Sequence, residues 1–248
     1  MKSLLLALQF LTIIPVKIKD VDDNKMATAL TYFPIIGLLL GLILIGANNF
    51  LIFLGIKQFS INIILIILLI ILTGGLHLDG LTDTCDAFSS RKDKDEMLRI
   101  MRDSHIGVMG ALSLIVVILL KIAFLSSISI SLKTISLLLM CSLSRWSLVF
   151  AMFLFPYARN EGKAKAFIQG VNFKNFSVAT IIALLTAFFI WKFNGLIIFI
   201  IITASGYLIG KFISKRVGGI TGDTLGAINE LTEIIILFSI CILGRISL

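Results

Sequence analysis

Three acidic motifs hold the residue types in this 248-residue chain that could do chemistry. The first runs Gly74-Gly75-Leu76-His77-Leu78-Asp79-Gly80-Leu81-Thr82-Asp83-Thr84-Cys85-Asp86. On a helix Asp79, Asp83 and Asp86, at i, i+4 and i+7, fall within roughly a 60° arc. Three carboxylates on one face repel one another unless a cation sits among them. Oxygen ligands without thiolates or paired histidines suit Mg²⁺ or Mn²⁺ rather than zinc. Mg²⁺ is usually held by one or two carboxylates together with substrate phosphates, so a phosphate or diphosphate ligand is expected. The plain alternative is a solvated acidic loop, against which the Gly-Gly pair and the adjoining apolar run argue.

The second motif is Asp103-Ser104-His105-Ile106-Gly107-Val108-Met109-Gly110, at the start of an apolar run. Its glycines let another backbone or a ligand approach closely. Ser104 suits an N-cap as well as a substrate contact, and Asp103 is expected to face the first motif across one pocket. The third runs from Gly218-Gly219-Ile220-Thr221-Gly222-Asp223 to Asn229-Glu230-Leu231-Thr232-Glu233. Asp223, Glu230 and Glu233 share a helical face, and acids at membrane depth default to a functional reading. The turn at Gly222 can present backbone N–H groups to phosphate. Arg145, inside an apolar run, should meet an acid or a phosphate. Arg159, in Tyr157-Ala158-Arg159-Asn160-Glu161-Gly162, is a second phosphate candidate or a topology anchor. His77 and His105, the only histidines, both fall inside acidic motifs.

The elements that must position these groups are membrane helices. The chain is 58% hydrophobic and 15% charged, with mean hydropathy +1.06, far more apolar than a soluble domain. Seven spans are expected, at about 32–54, 60–76, 107–125, 134–155, 177–192, 195–212 and 226–244. The segment 3–16 is too short to span and reads as an interfacial or re-entrant helix. A further short helix over 92–101 is expected to lie along the membrane surface. The fold class is therefore all-α, a polytopic helical bundle forming one membrane-embedded catalytic domain over 1–248. Cys85, Cys141 and Cys241 lack the spacing of a disulfide or zinc framework and read as small apolar filler.

The net charge of +8 does not imply nucleic acid, because the cations cluster in alternate loops. With seven spans one side collects Lys2, Lys17, Lys19 and Lys25, the cations from Arg91 to Arg102, those from Arg159 to Lys174, and Lys211, Lys215 and Arg216. That is sixteen of the 22 Lys and Arg. Lys57, Lys121, Lys133, Lys192 and Arg245 fall on the opposite side. The positive-inside rule then makes the N-terminus and all three acidic motifs cytoplasmic.

The runs GGLHLDGLTDTCDAF, MRDSHIGVMGAL, YARNEG and GGITGDTLGAINELTE, in that order over nearly the whole chain, resemble cobalamin synthase, the adenosylcobinamide-GDP ribazoletransferase family. The resemblance implies that the 5′-hydroxyl of α-ribazole, or α-ribazole 5′-phosphate as alternative acceptor, attacks the diphosphate of adenosylcobinamide-GDP. GMP leaves and adenosylcobalamin or its 5′-phosphate forms, with Mg²⁺ as cofactor. On this basis Asp79, Asp83, Asp86 and Asp103 are the metal-ligand candidates. Asp83, Asp103 and His77 are the catalytic candidates. Arg145, Arg159, Ser104, Gly222, Asp223, Glu230 and Glu233 are assigned to substrate. Direct in-line transfer is expected, since no covalent nucleophile stands out. The partners are the two substrates and the lipid bilayer, with homo-oligomerisation left open. Two rivals are weighed against this reading. A CDP-alcohol phosphotransferase should carry an Asp-Gly-x-x-Ala-Arg run, which is absent. A cation-coupled transporter should place its acids near mid-membrane on broken helices.

Overall fold

The computed structural model describes residues 2–16, 18, 23–159, 161 and 165–246; Lys17, Lys19, Asn160, Gly162 and Lys163 of the sequence reading lie outside them. The described elements are α1 (Lys2–Leu11), α2 (Asp23–Ala29), α3 (Phe33–Phe53), α4 (Gln58–Thr73), α5 (Leu76–Ser89) and α6 (Lys94–Ile100). They continue with α7 (Val108–Ser127), α8 (Ile130–Leu154), α9 (Lys165–Gly170), α10 (Phe173–Val217) and α11 (Gly222–Ile246). A single 3₁₀ turn joins α2 to α3. Among the described residues the only β pairing is an isolated parallel bridge between Tyr157 and Ile220.

Five helices are long and apolar enough to cross a bilayer, and the bent pair α4–α5 makes a sixth. The remaining crossing is hidden in α10, whose 45 residues are interrupted by non-helical dihedrals at Trp191 and Lys192. Gly195 sits directly on the carbonyl of Ala187. In a straight helix those residues are separated by about 12 Å along the axis, so the chain doubles back there. The two halves correspond to the spans expected at 177–192 and 195–212.

Helix α8 is the centre of the bundle and is buried over most of its length. Close approach makes this possible: Gly37 and Gly41 of α3 rest on the α8 backbone at Cys141–Ser142 and Leu137–Leu138, the small-residue packing of membrane helices. The Ser142 hydroxyl donates to the carbonyl of Pro34 at 3.0 Å. Helix α7 instead leaves most of its surface outward, as a lipid-facing helix should.

Two corrections concern cations. Lys121 and Lys133, assigned above to loops opposite the acidic motifs, are buried inside α7 and α8. Lys133 donates to Asn62 and to the carbonyl of Leu125, while Lys121 meets two glutamates described below. Both were misplaced because hydropathy windows locate spans without saying which cations are paired inside them. Removing them leaves Lys57, Lys192 and Arg245 on that side, which sharpens the asymmetry.

Candidate active site

The site is built where two broken or glycine-rich segments converge. Gly74 and Gly75 are both left-handed, with φ of 62° and 69°, a conformation that costs glycine little. They end α4, begin α5 and turn the chain by 89°. The first acidic motif is thereby helical, and Asp79, Asp83 and Asp86 project from one element as their spacing requires. Helix α5 then lies against the start of α11. A Cβ at Gly80 would stand 2.6 Å from the carbonyl of Asp223, and one at Gly226 would stand 2.7 Å from that of His77. Only glycine at both positions lets the two backbones touch, and that contact sets Asp223 among the charges nearest Asp83, with Asp79 and Asp86.

Helix α11 starts with a reciprocal cap. The Thr224 N–H donates to Thr221 Oγ1 at 3.1 Å, and the Thr221 N–H donates to Thr224 Oγ1 at 2.7 Å, a variant of the capping box. Immediately before it, Gly218 (φ 78°) closes α10 and Gly219 lies on the carbonyl of Pro156. The Ile220 N–H donates to Pro156 and the Ala158 N–H donates to Ile220. This short bridge docks the segment after α8 beside the start of α11. Its consequence is an ion pair: Arg159 reaches Asp223 at 2.8 Å, with 10% and 22% of the two side chains exposed.

Together these elements enclose a cavity of about 320 Å³ lined by Phe10, His77, Asp79, Tyr157, Arg159 and Asp223, among others. Arg159 Nε is buried and has no hydrogen-bond partner among the described residues. Burial raises the Tyr157 phenol above its ordinary range, so it is neutral and available as a donor. Among the described residues no three His, Cys, Asp or Glu side chains form a ready cage for a metal ion. Asp79, at the cavity, and Asp83, on the same helix, are oxygen donors of the kind that Mg²⁺ takes when other oxygens complete its shell.

The remaining candidates separate into three groups. Asp86 accepts from the Gly107 and Gly110 N–H groups, each at 2.7 Å. It therefore caps α7 from a neighbouring helix, a favourable place for a carboxylate. The close approach expected at these glycines is made by Asp86 itself, because a Cβ at either would overlap its carboxylate. Asp103 does not face the first motif across the cavity as expected. It is exposed and paired to His105 Nδ1 at 2.5 Å. Hydrogen bonding from His105 lowers the Asp103 carboxyl, and the same bond raises the His105 imidazole. Ser104 is exposed in that loop, whereas Gly222 lines the cavity.

The last group lies deeper. Arg145, 1% exposed, pairs with fully buried Glu233, and Lys121 pairs with both Glu230 and Glu233. Asn229 and Ser144 add hydrogen bonds to Glu233. Arg145, Glu230 and Glu233, assigned above to substrate, are thus paired inside the protein, Arg145 with Glu233 and both glutamates with Lys121, as the cost of lone charges at depth demands. His77 sits between the regions: it lines the cavity, while its nearest charges are Arg145, Glu233 and Lys121. Sequence reasoning missed Lys121, although a lone lysine in an apolar span, set against two acids in another, was the available signal. Phe10 belongs to the apolar run 10–16, which shares the family resemblance, but it was not assigned to the site.

Comparison with known proteins places the chain in a family. The family model described as Cobalamin-5-phosphate synthase matches residues 3–241. A Thermoanaerobacter sp. (strain X514) protein named adenosylcobinamide-GDP ribazoletransferase is 39% identical over 243 residues, covering 94% of each chain. One of the same name from Caldanaerobacter subterraneus subsp. tengcongensis is 39% identical over 249 residues, covering 97% of this chain and 98% of its own. The Fusobacterium nucleatum protein of that name is 34% identical over 271 residues, covering 96% of each. No solved structure matches. Four motifs in order, the helical membrane architecture and similarity along the whole chain converge, and the chain belongs to the cobalamin-5-phosphate synthase family.

Proposed function

We propose that this protein is the adenosylcobinamide-GDP ribazoletransferase of cobalamin synthesis, and that the reaction takes place where Asp79, Asp83, Asp223 and Arg159 converge. The observation that carries the assignment of the site is the charge imbalance there. Asp79, Asp223 and Asp86 are the charges that bear on Asp83, with Arg159 as the counter-charge. A divalent cation offsets part of that negative charge, and the diphosphate of the donor completes the ion's ligands.

Asp79 and Asp83 would hold Mg²⁺ jointly with the diphosphate of the donor. When bound, the ion offsets charge on the phosphoryl oxygens and orients the group for in-line attack. Arg159, held by Asp223, turns its unpartnered Nε to a phosphate oxygen, and Tyr157 offers its hydroxyl beside it. A ribose hydroxyl of the acceptor forms the new P–O bond to the phosphorus that carries the corrinoid. The P–O bond to the departing GMP breaks, and the hydroxyl proton passes to a carboxylate of the Asp79–Asp83 pair. The family description names a 5-phosphate product. An acceptor with phosphate on its 5′ oxygen cannot also attack through that oxygen. The attacking group is therefore another ribose hydroxyl, which corrects the 5′-hydroxyl expected from the resemblance.

The site faces the cytoplasm in this reading, supported by the sequence partition of cations, and the transporter rival loses its mid-membrane acids to Lys121 and Arg145. The deciding experiment supplies adenosylcobinamide-GDP and α-ribazole or its 5′-phosphate to the purified protein in liposomes. Stoichiometric release of GMP is expected. Ion flux without chemistry would replace the enzyme by a transporter.

A further inference from the structure

Two cavities meet at Asp79. The narrower is the one described above, and the wider, about 790 Å³, lies on the other side against the flanks of α4 and α7. Phe10, Leu76 and Asp79 line both. Each volume falls within or near the range of small-molecule sites, but their walls differ in kind.

The narrower cavity carries the Arg159–Asp223 pair. In the wider one Asp79 is the single charged residue among the described lining residues, and apolar side chains, Ile13, Ile70, Leu78, Leu114 and Ile118 among them, supply most of the rest. Its hydroxyls are committed. Thr12, Thr73 and Thr82 donate to the carbonyls of Leu8, Leu69 and Asp79 at 2.7, 2.9 and 2.6 Å. An anion placed there would lose its hydration and find no cation in return. A flat, uncharged ring system would displace water from an apolar wall at little polar cost.

We infer that the wider cavity is the acceptor subsite, taking the uncharged aromatic base of the acceptor nucleoside with its ribose directed at Asp79. The inference rests on the ribazoletransferase reading. In-line displacement needs the attacking and leaving oxygens on opposite sides of one phosphorus, so donor and acceptor must reach a common point from two directions. Two cavities of unlike polarity joined at one carboxylate provide those two approaches: the diphosphate enters beside Arg159, and the base packs against α4 and α7.

The test is steady-state kinetics of GMP release by the full-length protein in liposomes, with each substrate varied in turn. Leu114→Trp and Ile106→Trp fill the wider cavity from two sides. Each should raise the KM for the acceptor about tenfold while leaving kcat and the donor KM within about twofold, the signature of lost uniform binding. Arg159→Lys should instead raise the donor KM and lower kcat while leaving the acceptor KM within about twofold. Ile106 is 63% exposed, so its variant keeps the test alive where Leu114→Trp does not fold. A rise in donor KM for the tryptophan variants, or no change in either KM, overturns the inference. Wild-type protein that releases no GMP would instead sink the functional reading on which it rests.

Discussion

Two regions of this bundle use the same residue types to opposite ends. In the deeper one, Lys121 and Arg145 face Glu230 and Glu233, two cations against two acids, all buried. In the shallower one, Asp79, Asp83, Asp86 and Asp223 share a neighbourhood in which, among the described residues, Arg159 is the counter-charge that bears on Asp83. Balanced charge at depth is structural glue that ties α7, α8 and α11 together. Unbalanced charge at a helix junction calls for something positive to complete it, and the proposed reaction is placed there for that reason. Depth alone would have ranked them the other way, since ionisable groups inside the membrane are the usual functional suspects.

The sharpest way to break this contrast is to neutralise one acid in each region. Asp83→Asn should lower turnover by about a thousandfold or more, the order of loss expected when a required electrostatic group is removed, while the protein stays folded. Near wild-type rates at saturating Mg²⁺ would take Asp83 out of the site. Glu233→Gln should act on stability instead. It leaves Lys121 and Arg145 with one acid between them, and breaking a buried pair costs about 3–5 kcal/mol. Thermal unfolding in detergent measures this, and adding Lys121→Met should recover part of the loss. Unchanged stability in the single variant would mean that the quartet is not the glue described here.

Smaller effects separate the remaining carboxylates. Asp86→Asn weakens the cap on α7 and should cost about 1 kcal/mol of stability, with a much smaller loss of activity than Asp83→Asn. Equal loss of activity in the two would return Asp86 to the metal-ligand set. Smallest of all is the exposed Asp103–His105 pair. Its bond raises the His105 imidazole, so the stabilisation is full below the ordinary histidine range and is lost as pH rises through the elevated value. Asp103→Asn should return His105 toward that ordinary range in an NMR titration; an unmoved titration would deny the pairing.

Much of this was legible in the sequence, for reasons that vary by residue. The i, i+4, i+7 spacing of Asp79, Asp83 and Asp86 placed them on one helix, because helical geometry is local. The turn at Gly74 and Gly75 was not read, because the span expected at 60–76 runs through both and hydropathy alone does not mark where a helix bends. The contact of Gly80 with the Asp223 backbone was not legible, since it joins segments more than 140 residues apart and no local rule pairs two glycines across a bundle. The fate of Asp86 was hidden likewise: its spacing matches that of a ligand, and only the arrival of Gly107 and Gly110 turns it into a cap. Arg145 was half legible. Its need for a partner followed from depth, but the identity of that partner depended on how α8 meets α11.

The central claim is that the uncompensated carboxylates hold a cation jointly with substrate. Titration calorimetry on the solubilised protein tests it most directly, with Mg²⁺ titrated in the presence and absence of adenosylcobinamide-GDP, and the substrate titrated with and without Mg²⁺. A partial carboxylate site should bind the ion weakly alone, because Mg²⁺ sheds its waters reluctantly and the diphosphate supplies the missing ligands. Each ligand should then tighten the other by the same factor, as linkage requires, and α-ribazole, which carries no phosphate, should respond far less. Equal affinity for the corrinoid substrate with and without Mg²⁺, with the ion still bound at the aspartates, would contradict the account and reduce the cation to a structural staple.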